Sequence, residues 1–350
     1  MKAFLVPILL CCAGGMAYSQ TGYSWSPQTS GTTGTLQAVH LLDNTHGAAV
    51  GNNGTVLFFN GTSWTQQDVS AAGFLTGAQF QAVRMLGPDQ VLVGSLTKNN
   101  SGVTFWDGAS WSPWINAGPN GDQISSLWNL AGTNLVFSGR SGGRITLYND
   151  EVATVGDNSK WSRKLNESGS RINSFHAVDS SLIWAVGSGG RIYQSTNQGG
   201  DWLLITDPQI NEISTNWNGI YSFAADQVWA VGSGGQIAHW NGSLWDVRTF
   251  SHEGNVVDLN AIGGIDASHL WAVGNDGAIL FYDGNAWASV STGLEIADDL
   301  HSISITTAGH LWVVGENGSI FHAAPIPEPS AAALALLGLT GLLAWKSRLP

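Results

Sequence analysis

The sequence WAVGSGG occurs twice, at residues 184–190 and again at residues 229–235, and the two copies start 45 residues apart. Related stretches occur throughout the chain, each with a glycine where the copies have theirs. The seven glycines, at intervals of 41 to 48 residues, are Gly51, Gly94, Gly139, Gly187, Gly232, Gly274 and Gly315. A period of about 20 to 50 residues is typical of propellers and other repeat architectures. The heptapeptide is therefore one part of a sevenfold repeat.

Each repeat predicts four short β-strands. The first begins with an apolar–polar–small–apolar pattern, such as LQAV at residues 36–39. The second is apolar throughout, which indicates burial on both faces, and a glycine-containing turn follows it with the positive φ that tight hairpins need. The third ends, in four of the repeats, at an Asn-Gly or Asp-Gly hairpin. The fourth begins at or beside a tryptophan, and the seven tryptophans are Trp25, Trp64, Trp111, Trp161, Trp202, Trp245 and Trp287.

Four strands per repeat predict an all-β fold, a seven-bladed β-propeller of four-stranded blades spanning residues 20–324. Trp25 precedes the first complete repeat, and the last repeat stops at residue 324 without a fourth strand. We therefore expect an N-terminal strand at residues 23–28 to complete the last blade, so that the two ends of the chain close the ring. No helix is expected outside the termini.

The bulk composition restricts the class of partner and the chemistry. The chain of 350 residues has 13 basic and 25 acidic residues and a net charge of −12, which argues against nucleic acid as a partner. Residues 1–19 resemble a secretory signal peptide, cut after Ser19 or Ala17. The only cysteines, Cys11 and Cys12, lie in this segment, so the mature chain would have neither disulfides nor a catalytic thiol. A lipoprotein signal is disfavoured because no small residue precedes either cysteine.

The C-terminal tail, residues 325–350, has a Pro-rich start, an apolar segment at 331–345 and a basic end. As a helix the apolar segment would be about 22 Å long, which is short for a bilayer core of ~30 Å. The flanking charges favour a membrane-spanning helix with the basic end in the cytoplasm. A buried terminal helix is the alternative.

The motif Pro327-Glu328-Pro329, together with the apolar segment and the basic end, resembles the PEP-CTERM sorting signal of Gram-negative bacteria. The resemblance implies two partners: the secretion machinery and an exosortase, a membrane transpeptidase that cuts near this motif. It also implies export, transient anchoring in the inner membrane and then a location at the cell surface or outside the cell. Such proteins often accompany exopolysaccharide production.

The stretch STNQGGDW, residues 195–202, fits the Asp-box pattern S-x-[DN]-x-G-x-x-W through Ser195, Asn197, Gly199 and Trp202. The whole repeat resembles the Asp-box propellers related to photosystem II assembly factors. Most other blades have only the shortened form [DN]-G-x-x-W. The resemblance implies that Asp boxes are structural turns without activity.

Residues that recur in the same place in many blades are interpreted as structural. Five aspartates precede the second strands and are predicted to bond to their own turn backbone: Asp43, Asp89, Asp179, Asp226 and Asp266. The loops from the fourth strand to the next first strand differ from blade to blade. They are expected to surround the channel mouth, where binding sites on a rigid scaffold commonly lie.

A ring of uncharged polar residues is the candidate ligand-binding site. The second positions of the predicted first strands are Gln37, Gln81, Ser125, His176, Asn218, Asn260 and His301. One interpretation is a hydrogen-bonding site for a polar ligand such as a glycan. The alternative is a hydrated channel entrance whose polar groups bind only water.

Catalysis is less well supported by the sequence. Arg144 and Arg191 are each followed by isoleucine but lack the proline of a sialidase signature. A glycanase needs two facing carboxylates, and the candidate carboxylates are Glu253, Asp258, Glu295, Asp298 and Asp299. The nine histidines are scattered without metal-ligand spacing. We therefore predict no catalytic residue, metal or cofactor.

The sequence thus predicts an exported, non-catalytic binding or scaffold module of the cell surface or extracellular matrix. Its expected ligand is exopolysaccharide or another envelope protein. A carbohydrate-active hydrolase on the same propeller is the first alternative, and a structural matrix protein without a ligand is the second.

Overall fold

The computed structural model describes residues 22–326, except for residues 74–76, 97–101, 116–122, 132, 150–159, 168, 212 and 214. The predicted signal peptide, the sorting motif Pro327-Glu328-Pro329 and the apolar segment lie outside the described residues. Within the described part of the chain, no helix is long and apolar enough to cross a membrane.

The described residues form 27 β-strands. In chain order they are β1 (Tyr23–Gln28), β2 (Leu36–Leu41), β3 (Gly47–Gly51), β4 (Val56–Phe59), β5 (Trp64–Gln66), β6 (Phe80–Gly87), β7 (Gln90–Ser95), β8 (Gly102–Trp106), β9 (Ile124–Asn129), β10 (Leu135–Arg140), β11 (Arg144–Asn149), β12 (Trp161–Asn166), β13 (Ile172–Ala177), β14 (Ile183–Gly187), β15 (Arg191–Ser195), β16 (Leu203–Leu204), β17 (Trp217–Ala224), β18 (Gln227–Gly232), β19 (Gln236–Trp240), β20 (Trp245–Thr249), β21 (Leu259–Asp266), β22 (His269–Gly274), β23 (Ile279–Tyr282), β24 (Trp287–Ser289), β25 (Leu300–Ile305), β26 (Leu311–Gly315) and β27 (Ile320–Pro325).

These strands form seven antiparallel sheets, the blades of a propeller. The blades are, in order, β2–β5, β6–β8, β9–β12, β13–β16, β17–β20, β21–β24, and β25–β27 with β1. The first strand of each blade contacts the first strand of the next, and β25 contacts β2. These seven inner strands therefore enclose a central channel, which confirms the predicted seven-bladed propeller.

The ring is closed by the N-terminal strand, as predicted. Strand β1 pairs antiparallel with β27, so that Tyr23 lies opposite Pro325 and Gln28 opposite Ile320. The side chains of Tyr23 and Trp25 are each only 8% exposed. Tyr23 also contacts Trp271 of the sixth blade edge to face, with ring centroids 5.2 Å apart. The closing strand thus contacts two blades.

The second strands are buried along their whole length in four blades, and in the other three only their first residue is not buried, as their apolar sequences predict. The glycine that ends them permits a close backbone contact. A Cβ atom on Gly51 would lie 2.0 Å from the carbonyl oxygen of Thr35, and one on Gly187 would lie 2.2 Å from that of Arg171. The backbone of Gly51 is extended, with φ −167°, so close approach, not a positive φ, explains the repeated glycine.

The register corrects two of the seven anchors. In the second and third blades, Ser95 and Arg140 hold the position of this glycine, opposite the first residue of the inner strand. The predicted anchors Gly94 and Gly139 lie one residue earlier. A Cβ on Gly94 would lie 2.5 Å from the Ile124 side chain in the next blade. Here the glycine therefore makes room for a neighbouring side chain.

The turn residues behave as predicted in most blades. Asn53 and Gly54 both have positive φ, 58° and 74°. The Asp43 carboxylate accepts hydrogen bonds from the backbone N–H groups of Thr45 and His46, at 2.6 and 2.8 Å. Asp179 and Asp266 accept equivalent bonds two residues ahead. Asp89 and Asp226 make no side-chain bond of this kind within the described chain.

Two features differ from the prediction. The fourth strand of the second blade is reduced to isolated bridges, one of which joins Trp106 to Trp111. A single helical turn, α1 (Pro208–Asn211), interrupts the loop after β16, where no helix was expected. Asp207 accepts a hydrogen bond from the Gln209 N–H at 2.9 Å, and a proline at the first helical position is preorganised for such a turn.

The Asp box of the fourth blade is a structural turn, as the resemblance implies. Ser195 Oγ accepts a hydrogen bond from the Gly199 N–H at 2.9 Å, and Asn197 Oδ1 accepts one from the Asp201 N–H at 2.9 Å. Gly199 has φ +76°, and a Cβ there would lie 2.1 Å from the Phe137 ring. The turn therefore requires glycine and packs against the preceding blade.

Candidate functional site

The inner strands enclose a channel cavity of about 470 Å³. All seven residues of the predicted ring line it: Gln37, Gln81, Ser125, His176, Asn218, Asn260 and His301. The structure therefore brings the candidate ligand-binding residues together, although they come from seven separate repeats.

One member of the predicted ring is misplaced. Strand β13 begins at Ile172, which pairs with Gly187 as Leu36 pairs with Gly51. The second position of this strand is therefore Asn173, and His176 lies three residues further along. The FHAV sequence at residues 175–178 imitates the start of an inner strand, which explains the error. We use "mouth ring" for Gln37, Gln81, Ser125, Asn173, Asn218, Asn260 and His301.

Four consecutive members of the mouth ring join neighbouring blades. Each donates a hydrogen bond to the carbonyl oxygen of the first residue in the next inner strand. The bonds are Ser125 to Ile172 at 2.6 Å, Asn173 to Trp217 at 2.8 Å, Asn218 to Leu259 at 2.9 Å and Asn260 to Leu300 at 2.9 Å. This part of the ring stabilises the contacts between blades.

The other three members, His301, Gln37 and Gln81, lie on the seventh, first and second blades and form an "open arc". The side chains of Gln37 and His301 have no hydrogen bond within the described chain. Gln81 Oε1 accepts one from Arg171 Nη2 at 3.4 Å. Burial lowers the pKa of His301 despite the opposing effect of Glu316 and Asp299, so its imidazole is neutral at pH 7. The open arc presents polar groups toward the channel.

Two arginines also line the channel. Arg171 precedes β13 and reaches from the fourth blade to Gln81 of the second; its buried Nε has no hydrogen-bond partner, and burial lowers its pKa. Deeper in the channel, Arg84 Nε donates to Asn129 Oδ1 at 2.6 Å, and its guanidinium lies 4.0 Å from the Trp128 ring centroid. Burial lowers the pKa of Arg84 to about 10, which keeps it charged at neutral pH.

Among the described residues, no carboxylate neutralises these two arginines. Neither forms an ion pair within the described chain, and no aspartate or glutamate lines the cavity. The chain as a whole has a net charge of −12. The channel thus carries positive charge inside an acidic protein, a feature that was not predicted from the sequence. Aligning the inner strands by their first buried residue would have placed Arg84 at a channel-facing position.

Two channel histidines also join neighbouring blades, but as acceptors. His40 Nδ1 accepts the Met85 N–H at 3.2 Å, and His176 Nδ1 accepts the Ser222 N–H at 3.2 Å. Each Nε2 therefore carries the proton. Burial, reinforced by the charge of Arg84, lowers the pKa of His176 to about 3, and the pKa of His40 is lowered for the same reasons. Both histidines are neutral structural groups.

The candidate carboxylates of a hydrolase lie outside the cavity. Asp258 and Asp299 accept backbone hydrogen bonds from the turns of the preceding blades, at Gly234 and Asp276, at 2.7 and 2.9 Å. Asp298 accepts from the Asn317 side chain at 2.7 Å. The other two candidates, Glu253 and Glu295, are exposed to solvent. The three aspartates therefore stabilise the rim.

The two arginines that precede isoleucine, Arg144 and Arg191, are also structural. Arg191 pairs with Glu167 at 2.6 Å, and Arg144 Nε donates to Asn166 Oδ1 at 2.8 Å. Within the described residues, no group of three or more histidine, cysteine, aspartate or glutamate side chains could hold a metal ion.

Together these features define a seven-bladed propeller with a polar, cationic channel. Similar solved structures include YCF48 bound to D1 peptide, with a TM-score of 0.65 at 17% identity over 86% of this chain and 96% of that chain. YCF48 from Cyanidioschyzon merolae has a TM-score of 0.65 at 16% identity, over 86% and 99%. The WD40 propeller domain of Doa1 has 0.67 at 14%, over 87% and 97%. At these identities the likeness shows the fold alone.

No known protein family matches the sequence, and no curated protein matches it.

Proposed function

We propose that this chain is a non-catalytic binding module of the cell surface or extracellular matrix, and that its channel mouth binds polysaccharide. The observation that carries this proposal is the division of the mouth ring. Four members are occupied by bonds between blades, whereas Gln37 and His301 have no hydrogen bond within the described chain. Polar side chains on a rigid wall and without a structural partner are suited to binding a ligand.

The chemistry of the open arc fits the hydroxyl groups of sugars. The amides of Gln37 and Gln81 and the neutral imidazole of His301 can each donate and accept a hydrogen bond. The cavity of about 470 Å³ can hold a sugar unit or two. A propeller of similar fold, YCF48, was solved with a D1 peptide bound, which supports a macromolecular ligand for this architecture but does not identify it.

The proposed location rests on the two ends of the chain. The signal-like residues 1–19 support export, and Pro327-Glu328-Pro329 with the following apolar segment supports sorting by an exosortase. Cleavage near this motif would release the propeller from the inner membrane, while its channel stays available to extracellular polysaccharide. Expression in an exosortase-positive strain should yield a mature protein that lacks the tail by mass spectrometry. A mature protein that ends at Pro350 contradicts this proposal.

Binding can be tested with an array of bacterial polysaccharides and the double variant Gln37→Ala/His301→Ala. We expect the wild-type chain to retain at least one polysaccharide and the double variant to lose it by about tenfold or more, since two hydrogen-bonding groups are removed. Gln66→Ala is the matched control, because Gln66 is exposed on an outer strand of the first blade. Equal binding by wild type and double variant contradicts a site at the mouth.

A further inference from the structure

We propose that the channel mouth selects acidic polysaccharides, and that Arg171 binds the carboxylate of a uronic acid residue. This inference rests on the proposed polysaccharide function and names the class of ligand within it. The Arg171 guanidinium lies at the mouth, 3.4 Å from Gln81 Oε1, and has no carboxylate partner in the described chain. A guanidinium in this position can form a charge-assisted, bidentate pair with a carboxylate.

The burial of Arg171 supports a ligand there. Its Nε has no hydrogen-bond partner although it is buried, and a buried donor without a partner is unfavourable. Charged side chains are rarely kept in such surroundings without compensation. An anion in the channel would satisfy the guanidinium and regain this free energy.

Arg84 extends the positive charge into the channel. It lies three residues beyond Gln81 on β6, which is about 10 Å deeper at ~3.3 Å per residue. Its Nε bonds to Asn129 and one face of its guanidinium covers Trp128. The neighbouring His40 and His176 are neutral and no carboxylate lines the cavity. Its charge therefore acts on any ligand at the mouth.

The opposite side of the mouth fits the hydroxyl groups of the same ligand. His301 is neutral and its side chain has no hydrogen bond within the described chain, although Asp299 and Glu316 lie close enough to affect its pKa. A sugar acid presents one carboxylate and several hydroxyl groups on one ring, so it can bind both sides at once. A peptide C-terminus also has a carboxylate, but it lacks the ring of hydroxyl groups beside it.

The test is isothermal titration of the full mature chain with trigalacturonic acid, a short oligomer of uronic acids. Maltotriose is the neutral control, and a pentapeptide with a free C-terminus is the peptide control. The variants are Arg171→Gln and Arg84→Gln. Arg248→Gln is the matched control, because this arginine is 69% exposed on the fifth blade and pairs with Asp246. Urea unfolding of each variant confirms that it is folded.

We expect the trimer to bind and maltotriose to bind at least about tenfold more weakly. Arg171→Gln should weaken trimer binding about 10- to 100-fold, with a smaller loss in Arg84→Gln and none in Arg248→Gln. Raising the salt from about 50 to about 500 mM should weaken binding too, because screening acts on the charge pair. If Arg84→Gln does not fold, Arg171→Gln alone tests the inference, because the Arg171 side chain is only partly buried.

Three results overturn the inference. If trimer and maltotriose bind equally and Arg171→Gln affects neither, the site does not select acidic sugars, although the proposed polysaccharide function is retained. Binding of the peptide without the trimer would replace the sugar by a peptide carboxylate. Binding of neither sugar, on the titration and on the polysaccharide array alike, would remove the proposed function as well.

Discussion

Deletion of the closing strand is the sharpest test of the fold. A chain that starts at residue 30 lacks β1 and therefore loses six residue pairs with β27. It also loses Tyr23 and Trp25, each 8% exposed. Truncating a buried aromatic residue to alanine costs about 3–5 kcal/mol, so the two together are worth roughly 6–10 kcal/mol. That is comparable to the stability of a typical domain, ~5–15 kcal/mol.

The truncated chain should unfold at a much lower urea concentration and should associate through the exposed edge of β27. Urea titration followed by tryptophan fluorescence, with light scattering for the mass, measures both effects. A synthetic peptide of residues 22–29, added in excess, should restore part of the lost stability by pairing in trans. In the intact chain, Trp25→Ala should cost about 3–5 kcal/mol, and Ser24→Ala, at an exposed position of the same strand, less than about 0.5 kcal/mol. A monomeric truncated chain with an unchanged unfolding midpoint refutes closure by β1.

Three further predictions concern the channel and the turns. Asn218→Ala should lower the free energy of unfolding by about 1–2 kcal/mol, since it removes a bond between blades, whereas Gln37→Ala should change it by less than about 0.5 kcal/mol; urea titration separates the two. Burial lowers the pKa of His176 from 6.5 to about 3, so below pH 6.5 the unfolded chain takes up a proton that the folded chain does not. The contribution of His176 to stability is complete above pH 6.5, and the free energy of unfolding should fall by up to about 1.4 kcal/mol per pH unit between pH 6.5 and pH 3. Urea titration at several pH values should show a smaller loss in His176→Gln. Gly199→Ala should destabilise the fold by about 2–4 kcal/mol, since its φ is +76° and a Cβ would strike Phe137; an unchanged melting temperature contradicts that.

The repeat and its closure could be predicted from sequence because they depend on local patterns. The apolar second strands and the fourth-strand tryptophans each recur once per blade, and an Asn-Gly or Asp-Gly turn follows the third strand in four blades. Trp25, which lies ahead of the first complete repeat, identified the strand that completes the last blade. The predicted anchor position was correct for Gly51 and Gly187, which permit close backbone contact. In the second and third blades the predicted glycine lies one residue before the anchor position.

The site was harder to predict because it depends on contacts between blades. Four members of the mouth ring bond to the next blade and three form the open arc. This division becomes visible only when each side chain is matched to a carbonyl group in the next blade, as Asn218 is to that of Leu259. The sequence FHAV resembles a strand start, so His176 was placed three residues from its true position. Arg171 was not predicted because it precedes its strand and bonds to Gln81, which lies 90 residues earlier in the sequence on another blade.

The most direct measurement is a crystal structure of the mature chain with trigalacturonic acid. The account predicts electron density in the channel mouth, with a carboxylate within hydrogen-bond distance of the Arg171 guanidinium and hydroxyl groups near Gln37 and His301. Density on the outer strands of the blades, with only water between Arg171 and the open arc, would contradict the assignment of the channel mouth as the binding site.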